Sequence, residues 1–166
     1  MLFLTDGYIN ANASAQKLAE MVCLAAEKMK DFDLQPKALL LSSSGPYPGV
    51  ENCAKDKMLE VQTLLSSSSL KVEILNARSQ DLLSGVFQSV ENERMTGQKL
   101  APLLVFPDMN SANIGLQLLR AATEGLHLGP LFLGGNQPAY WLVEDITARG
   151  ILNMTALAVL AANKKS

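Results

Sequence analysis

The residues best suited to chemistry gather where apolar runs give way to turns. Ser42-Ser43-Ser44-Gly45-Pro46-Tyr47-Pro48-Gly49 follows such a run, and serines and glycines at the carboxyl end of a strand can cradle a phosphate. Pro46 and Pro48 work against it, because a phosphate cradle needs successive free N–H groups leading into a helix, and proline has none. The turn therefore reads better as a rigid connection. Asp6, Asp108 and Asp145 fall near strand ends or loops, where a carboxylate can serve as acid or base, and helix capping explains Asp108 equally well. Gly134-Gly135 permits close backbone approach, to a ligand or within a tight turn. His127 is the single histidine, and no serine or cysteine stands in a nucleophile motif, so no triad can be built. His127 reads as a structural or surface residue.

Composition narrows the field. The chain has 166 residues and a formal net charge of −2, with its Lys and Arg scattered, so the basic stripe of a nucleic-acid binder is missing. Cys23 and Cys53 form no CxxC pair, which argues against a structural metal and against a disulfide framework. No apolar run reaches the length of a membrane span, and the N-terminus lacks the features of a secretory signal. The expectation is one soluble, cytoplasmic domain without a metal, with no nucleic-acid or membrane partner.

Positioning those residues falls to alternating elements. Apolar runs at Leu2–Thr5, Ala38–Leu41, Val72–Leu75, Leu103–Phe106 and Gly129–Leu133 predict five strands, and helical periodicity lies between them. That alternation predicts a three-layer α/β/α domain around a mostly parallel central sheet. Leu18, Met21, Val22, Ala25 and Met29 recur at helical spacing, with Asn12 or Ser14 as N-cap. Further helices are expected near Asn52–Leu65, Gln80–Val90 and Ser111–Ala122, and the polar stretch Glu91–Gln98 is expected to be mobile. The last helix, about Thr147–Ala162, is apolar round nearly its whole circumference, from Ile151 to Leu160. Such a helix needs cover on all sides, and five strands and four helices do not obviously supply it. A second subunit, or a part of a larger polypeptide before Met1, is the expected cover.

Leu103-Leu104-Val105-Phe106-Pro107-Asp108-Met109-Asn110-Ser111-Ala112-Asn113-Ile114 resembles the LVFPDLNAGNI stretch of the phosphate acetyl/butyryltransferase family. Leu128-Gly129-Pro130-Leu131-Phe132-Leu133-Gly134 with Pro138 resembles the following GPILxGxxxP. Upstream, Thr5-Asp6, Asn10 and Gln35 to Ser42 are similar to the start of that family's second subdomain. The resemblance implies residues 1–166 as one such domain, with the first subdomain absent. It also implies a remnant cleft lined by Ser42, Ser44, Asn113, Gly134, Gly135 and Asn136.

The same resemblance shows what is missing. Active members carry Ser-Arg-Gly after the proline turn and an Asp before the last helix's isoleucine, where this chain has Val143-Glu144-Asp145 and Gly150. Valine relays no proton, and a glutamate in place of the arginine repels phosphate. Ile151-Leu152-Asn153-Met154-Thr155-Ala156-Leu157-Ala158-Val159 is similar to IVNMTALAV of the phosphate-acetyltransferase-like region of large bacterial malic enzymes. This likeness implies a noncatalytic regulatory and oligomerisation module, the C-terminal part of an NADP-dependent enzyme that converts malate to pyruvate and CO2. Acetyl-CoA or a related acyl-CoA would be the effector, with no cofactor held by this chain, and the last helix would pair subunits at least into dimers. The alternative is a divergent transferase moving an acetyl or butyryl group between CoA and phosphate, and a remnant that binds nothing is the third reading.

Overall fold

A computed structural model describes residues 1–42, 53–68, 72–77, 100–123, 125–144 and 146–163. Ser44, Asp145, the helix expected over 80–90 and the polar stretch 91–98 lie outside them. The chain divides into two compact units, Met1–Leu116 and Gln117–Ser166.

The first unit is built on four parallel strands: β1 (Phe3–Thr5), β2 (Gln35–Leu41), β3 (Glu73–Ala77) and β4 (Leu100–Val105), in the order β1-β4-β2-β3. Helix α1 (Ala15–Lys30) packs on β1, β2 and β4, while α2 (Cys53–Ser66) packs on β2 and beside α1. Right-handed crossovers running in one direction put both helices on one face of the sheet. Ala38, Leu39 and Leu40 of β2 and Leu103, Leu104 and Val105 of β4 are buried, as continuous apolar runs in the middle of a parallel sheet should be. Val22, Ala26 and Met29 of α1 and Met58 and Val61 of α2 close over them.

Ser14 is the N-cap of α1, its side chain accepting from the Lys17 N–H at 3.2 Å. Of the stripe read from the sequence, Leu18, Val22, Ala25 and Met29 are buried, and Met21 is half-buried. The helix ends where Asp33 takes a left-handed φ of 56° and the Leu34 N–H returns to the Met29 carbonyl. Helix α3 (Met109–Ala122) starts behind Asp108, whose Oδ1 accepts from the Ser111 N–H at 2.9 Å. Asp108 is thus a helix cap, one of the two roles open to it from the sequence.

Two strands begin earlier than the apolar runs suggested. β2 starts at Gln35 and β4 at Leu100, so each carries a proline, Pro36 and Pro102. Proline donates no ladder hydrogen bond and belongs at strand edges. Both meet this condition, since β1 joins β4 only from Leu103 and β3 joins β2 only from Lys37. At its proline, each central strand has a neighbour on one side.

The second unit holds β5 (Leu131–Phe132), β6 (Ala139–Tyr140) and α4 (Ala148–Asn163). The run Gly129–Leu133 does not become a fifth parallel strand. Only Leu131–Phe132 is extended, and it pairs antiparallel with Ala139–Tyr140 in a separate sheet. Gly134, at φ 85°, turns the chain back, and so short a connection can only produce an antiparallel neighbour. The α/β class with a mostly parallel sheet stands, with four strands in that sheet among the described residues.

Helix α4 is tied to the hairpin by the Tyr140 hydroxyl, which donates to the Leu157 carbonyl at 3.4 Å. Met154 is buried, yet Leu152 is 69% exposed and Leu160 61%. No helix among the described residues is long and apolar enough to cross a membrane.

Candidate functional site

Register places the candidate residues of the first unit on one rim. Thr5 and Leu40 both lie opposite Val105, so Asp6, Ser42 and Phe106 leave the sheet at the same carboxyl edge. Ligands of open α/β sheets settle at that edge.

The loop after β1 is organised by Asp6. Its Oδ1 accepts from the N–H groups of Tyr8 (3.1 Å) and Ile9 (3.0 Å), and its Oδ2 accepts from the Asn10 N–H (2.9 Å) and the Asn10 side-chain amide. Partial burial alone would push this carboxyl up. The hydrogen bonds from the Asn10 side chain and from the three backbone N–H groups outweigh that, and the carboxyl lies below its ordinary value. A carboxylate so held is a poor proton acceptor at neutral pH. Asp6 therefore serves as a loop staple, not as a general base.

Three residues outside this loop, Asn113, Met109 and Lys57, join it to its neighbours. The Asn113 side-chain amide donates to the Gly7 carbonyl at 3.3 Å, and the Met109 N–H reaches the Ala11 carbonyl at 3.4 Å. The Lys57 ammonium, from α2, donates to Asn12 Oδ1 at 2.9 Å and to the Pro107 carbonyl at 3.1 Å. α3 is held close beneath the rim because Gly115 faces the Phe106 ring, where a Cβ would sit 2.6 Å from its Cζ. Among the residues expected in a cleft, Asn113 lies half-buried on this rim and Ser42 half-buried just past β2. Lys57 and Asn12 were not singled out as site residues in the sequence. The available signal was the position of Lys57 just inside a helix that follows a buried strand.

Gly134, Gly135 and Asn136 fall in the second unit, exposed in the connection between β5 and β6. Gly135 leaves little room, since a Cβ there would be 3.2 Å from the Gln137 carbonyl and 3.3 Å from the Phe132 ring. Val143 is half-buried and Glu144 is exposed. Thr147 caps α4, its Oγ1 accepting from the Gly150 N–H at 3.1 Å while its carbonyl accepts from the Ile151 N–H at 2.9 Å. Gly150 is buried against the preceding turn. A Cβ there would lie 2.7 Å from Ile146 Cγ1, closer than two carbons can approach.

The surroundings have closed on Gly150 and leave no room for a side chain there. Gly150→Asp is expected to lower stability by about 1–2 kcal/mol, as overpacked sites do, and to restore no acyl transfer. A thermal melt and an acetyl phosphate assay on the variant check both parts, and turnover in a stable variant would show that only the carboxylate was lacking. Among the described residues no group of three or more His, Cys, Asp or Glu could hold a metal ion.

Comparison with known proteins adds a lineage to this geometry. A profile described as phosphate acetyl/butaryl transferase matches residues 1–159. The NAD-dependent malic enzyme of Rhizobium meliloti is 32% identical over 161 residues, which are 95% of this chain and 20% of that enzyme. The NADP-dependent malic enzyme of Escherichia coli is 33% identical over 165 residues, 96% of this chain and 21% of the enzyme. The phosphate acetyltransferase of Helicobacter pylori is 28% identical over 161 residues, covering 95% and 30% respectively. Among solved structures, a phosphotransacetylase from Streptococcus pyogenes superposes with a TM-score of 0.76 at 25% identity, covering 97% of this chain and 49% of that one. The chain thus spans about a fifth of the malic enzymes that it matches.

Proposed function

This chain belongs to the phosphate acetyl/butaryl transferase family, and we propose that it is a noncatalytic module that senses an acyl-CoA and assembles subunits, as part of a malic enzyme. The observation that carries this reading is the closed environment of Gly150, where Ile146 occupies the space that a side chain would need. Val143 and Glu144 point the same way, since neither can do the work of the serine and arginine expected of an active relative. A catalytic partner for the module is supported by its likeness to malic enzymes of which this length of chain is one fifth. Any malate oxidation would belong to residues outside the 166 of this sequence.

Acetyl-CoA, as an effector bound more tightly by one state of the assembly than by another, would shift the equilibrium between the two by the difference in affinity. Calorimetry of acetyl-CoA against the protein, run beside an assay for acetyl phosphate made from acetyl-CoA and phosphate, tests the proposal. Saturable binding without turnover is the expected result. Clear turnover would instead establish the second reading, a divergent phosphate acyltransferase, which draws support from the likeness to the Helicobacter pylori and Streptococcus pyogenes proteins. A silent titration would leave only a structural remnant.

For assembly, the supporting feature is the face of α4 that carries Ile151, Leu152, Val159 and Leu160, each more than 40% exposed. Monomeric proteins rarely leave a contiguous apolar surface of that kind uncovered. Sedimentation is expected to show at least a dimer, and Leu152→Glu to shift it to monomer at micromolar concentration. A variant that stays dimeric would place the contact elsewhere.

A further inference from the structure

Asp6 is followed by Gly7, the one Asp-Gly step in the sequence, which has no Asn-Gly step. Such a step carries its own chemistry. With no side chain on the glycine to hinder it, the Gly7 backbone nitrogen can attack Asp6 Cγ. A C–N bond forms, one carboxyl C–O bond breaks, and that oxygen leaves as water with the amide proton and the carboxyl proton. Water then opens the five-membered imide at one of its two carbonyls. Opening at Cγ restores aspartate. Opening at the Asp6 backbone carbonyl gives isoaspartate, in which the main chain runs through Cγ to the Gly7 nitrogen. Water is the only co-reactant in this balance.

The fold decides how readily the ring closes. Each Asp6 carboxyl oxygen holds two donors, Oδ1 the N–H groups of Tyr8 and Ile9, and Oδ2 the N–H and side-chain amide of Asn10. Because one oxygen must leave as water, ring closure breaks at least two of these bonds, and bringing Cγ onto the Gly7 nitrogen draws the other oxygen away as well. The same bonds favour the ionised carboxyl, whereas the departing oxygen needs a proton. Gly7 is itself held at its carbonyl by the Asn113 amide at 3.3 Å. Water still reaches the loop, since Gly7 and Tyr8 are half-buried and Ile9 is exposed, and loops of this kind open locally without global unfolding. The backbone does not require a glycine here. Gly7 lies outside the left-handed region, and a Cβ on it would meet nothing nearer than the Asn113 nitrogen at 3.7 Å.

We propose that Asp6-Gly7 is a gated site of isoaspartate formation, shut while the loop after β1 is closed and converted when that loop opens. Conversion releases the loop. The added methylene in the main chain and the displaced carboxylate cannot rebuild the four hydrogen bonds, so the amides of Tyr8, Ile9 and Asn10 lose their acceptor. The proposal does not depend on the acyl-CoA reading above.

The test is to age the full chain for weeks near neutral pH, folded and in guanidinium chloride, and to measure isoaspartate by peptide mapping of the tryptic fragment 1–17. Isoaspartate at residue 6 should form at least about tenfold faster in the unfolded chain than in the folded one. Folded Asn10→Ala should form it about threefold faster or more than folded wild type, and unfolded Gly7→Ala far more slowly than unfolded wild type. Equal rates in the folded and unfolded chain would overturn the gate, as would a folded Asn10→Ala that ages as wild type does. Should Asn10→Ala fail to fold, the comparison of folded with unfolded wild type decides alone. An unfolded chain that gains no isoaspartate at residue 6 would overturn the site. Hydrogen exchange on the isoaspartyl chain, purified and refolded, reads the release. The amides of Tyr8, Ile9 and Asn10 should exchange about tenfold faster or more than in the parent, and unchanged protection there would overturn that part of the proposal.

Discussion

Glu73→Gln is expected to cost about 2–3 kcal/mol of stability, a large effect for so conservative a change, because it strands the charge of Lys37. Lys37 is 2% exposed in the middle of the sheet. Its ammonium pairs with Glu73 Oε1 at 3.1 Å across the β2–β3 register. The glutamate side chain keeps 55% of its surface exposed, so water softens the loss and holds the figure below that of a pair buried on both sides. Lys37→Met tests the same idea from the other end. It removes the charge and keeps the apolar stem, and its expected stability is equal to wild type or slightly above it. Urea denaturation of the two variants gives the comparison, and a Glu73→Gln midpoint equal to that of wild type would show that the ammonium has another source of solvation.

The second large effect concerns the loop after β1. Asp6→Ala removes the acceptor for three backbone N–H groups and the Asn10 amide at once. Hydrogen bonds to a charged acceptor contribute about 1.5–3 kcal/mol each when buried. Here Ile9 is exposed and water can replace part of what is lost, so the expected cost is about 2 kcal/mol in all. The pH dependence has a definite sign. The folded carboxyl lies below its ordinary value, so its contribution is fully present above about pH 4 to 5, near and above the unfolded value. It is lost as pH falls further, through the folded value. The gap in urea midpoint between wild type and Asp6→Ala should therefore be constant at neutral pH and close in acid. A gap that persisted unchanged at pH 2 would mean that the loop is held by something other than the ionised carboxylate.

Much of the framework could be read from residue order. The buried runs of β2 and β4 and the stripe of α1 declare themselves because burial on a sheet or along a helix imposes a periodicity that neighbouring residues share. Ser14 and Asp108 were visible as caps for the same local reason. The starts of β2 and β4 were not legible, since whether Pro36 and Pro102 are tolerated in a strand depends on where the adjacent strand stops, and that is a property of register. Gly129–Leu133 misled because a short apolar run has the same composition in a parallel sheet as in a hairpin, and its partner, Ala139–Tyr140, lies further along the chain.

The candidate site was legible only in part. Asn113 was named, and it does sit on the rim, yet its amide is turned to the Gly7 carbonyl. Lys57 escaped notice because a lysine in a helix is usually a solvated surface residue, and its two acceptors come from loops far from it in sequence. The tight space around Gly150 comes from Ile146, and a position read alone in a sequence cannot announce it.

The Asp6 loop has one consequence for kinetics and affinity. A loop that must be ordered by its ligand gives up part of the interaction energy to lost conformational freedom, about 0.5–1.5 kcal/mol for each side chain that is immobilised. Here Asp6, Asn10, Asn12 and Lys57 are already tied down by contacts within the protein. A small molecule touching this loop would meet a surface whose entropy has been spent during folding. It should gain its contacts there without a slow ordering step of the loop itself.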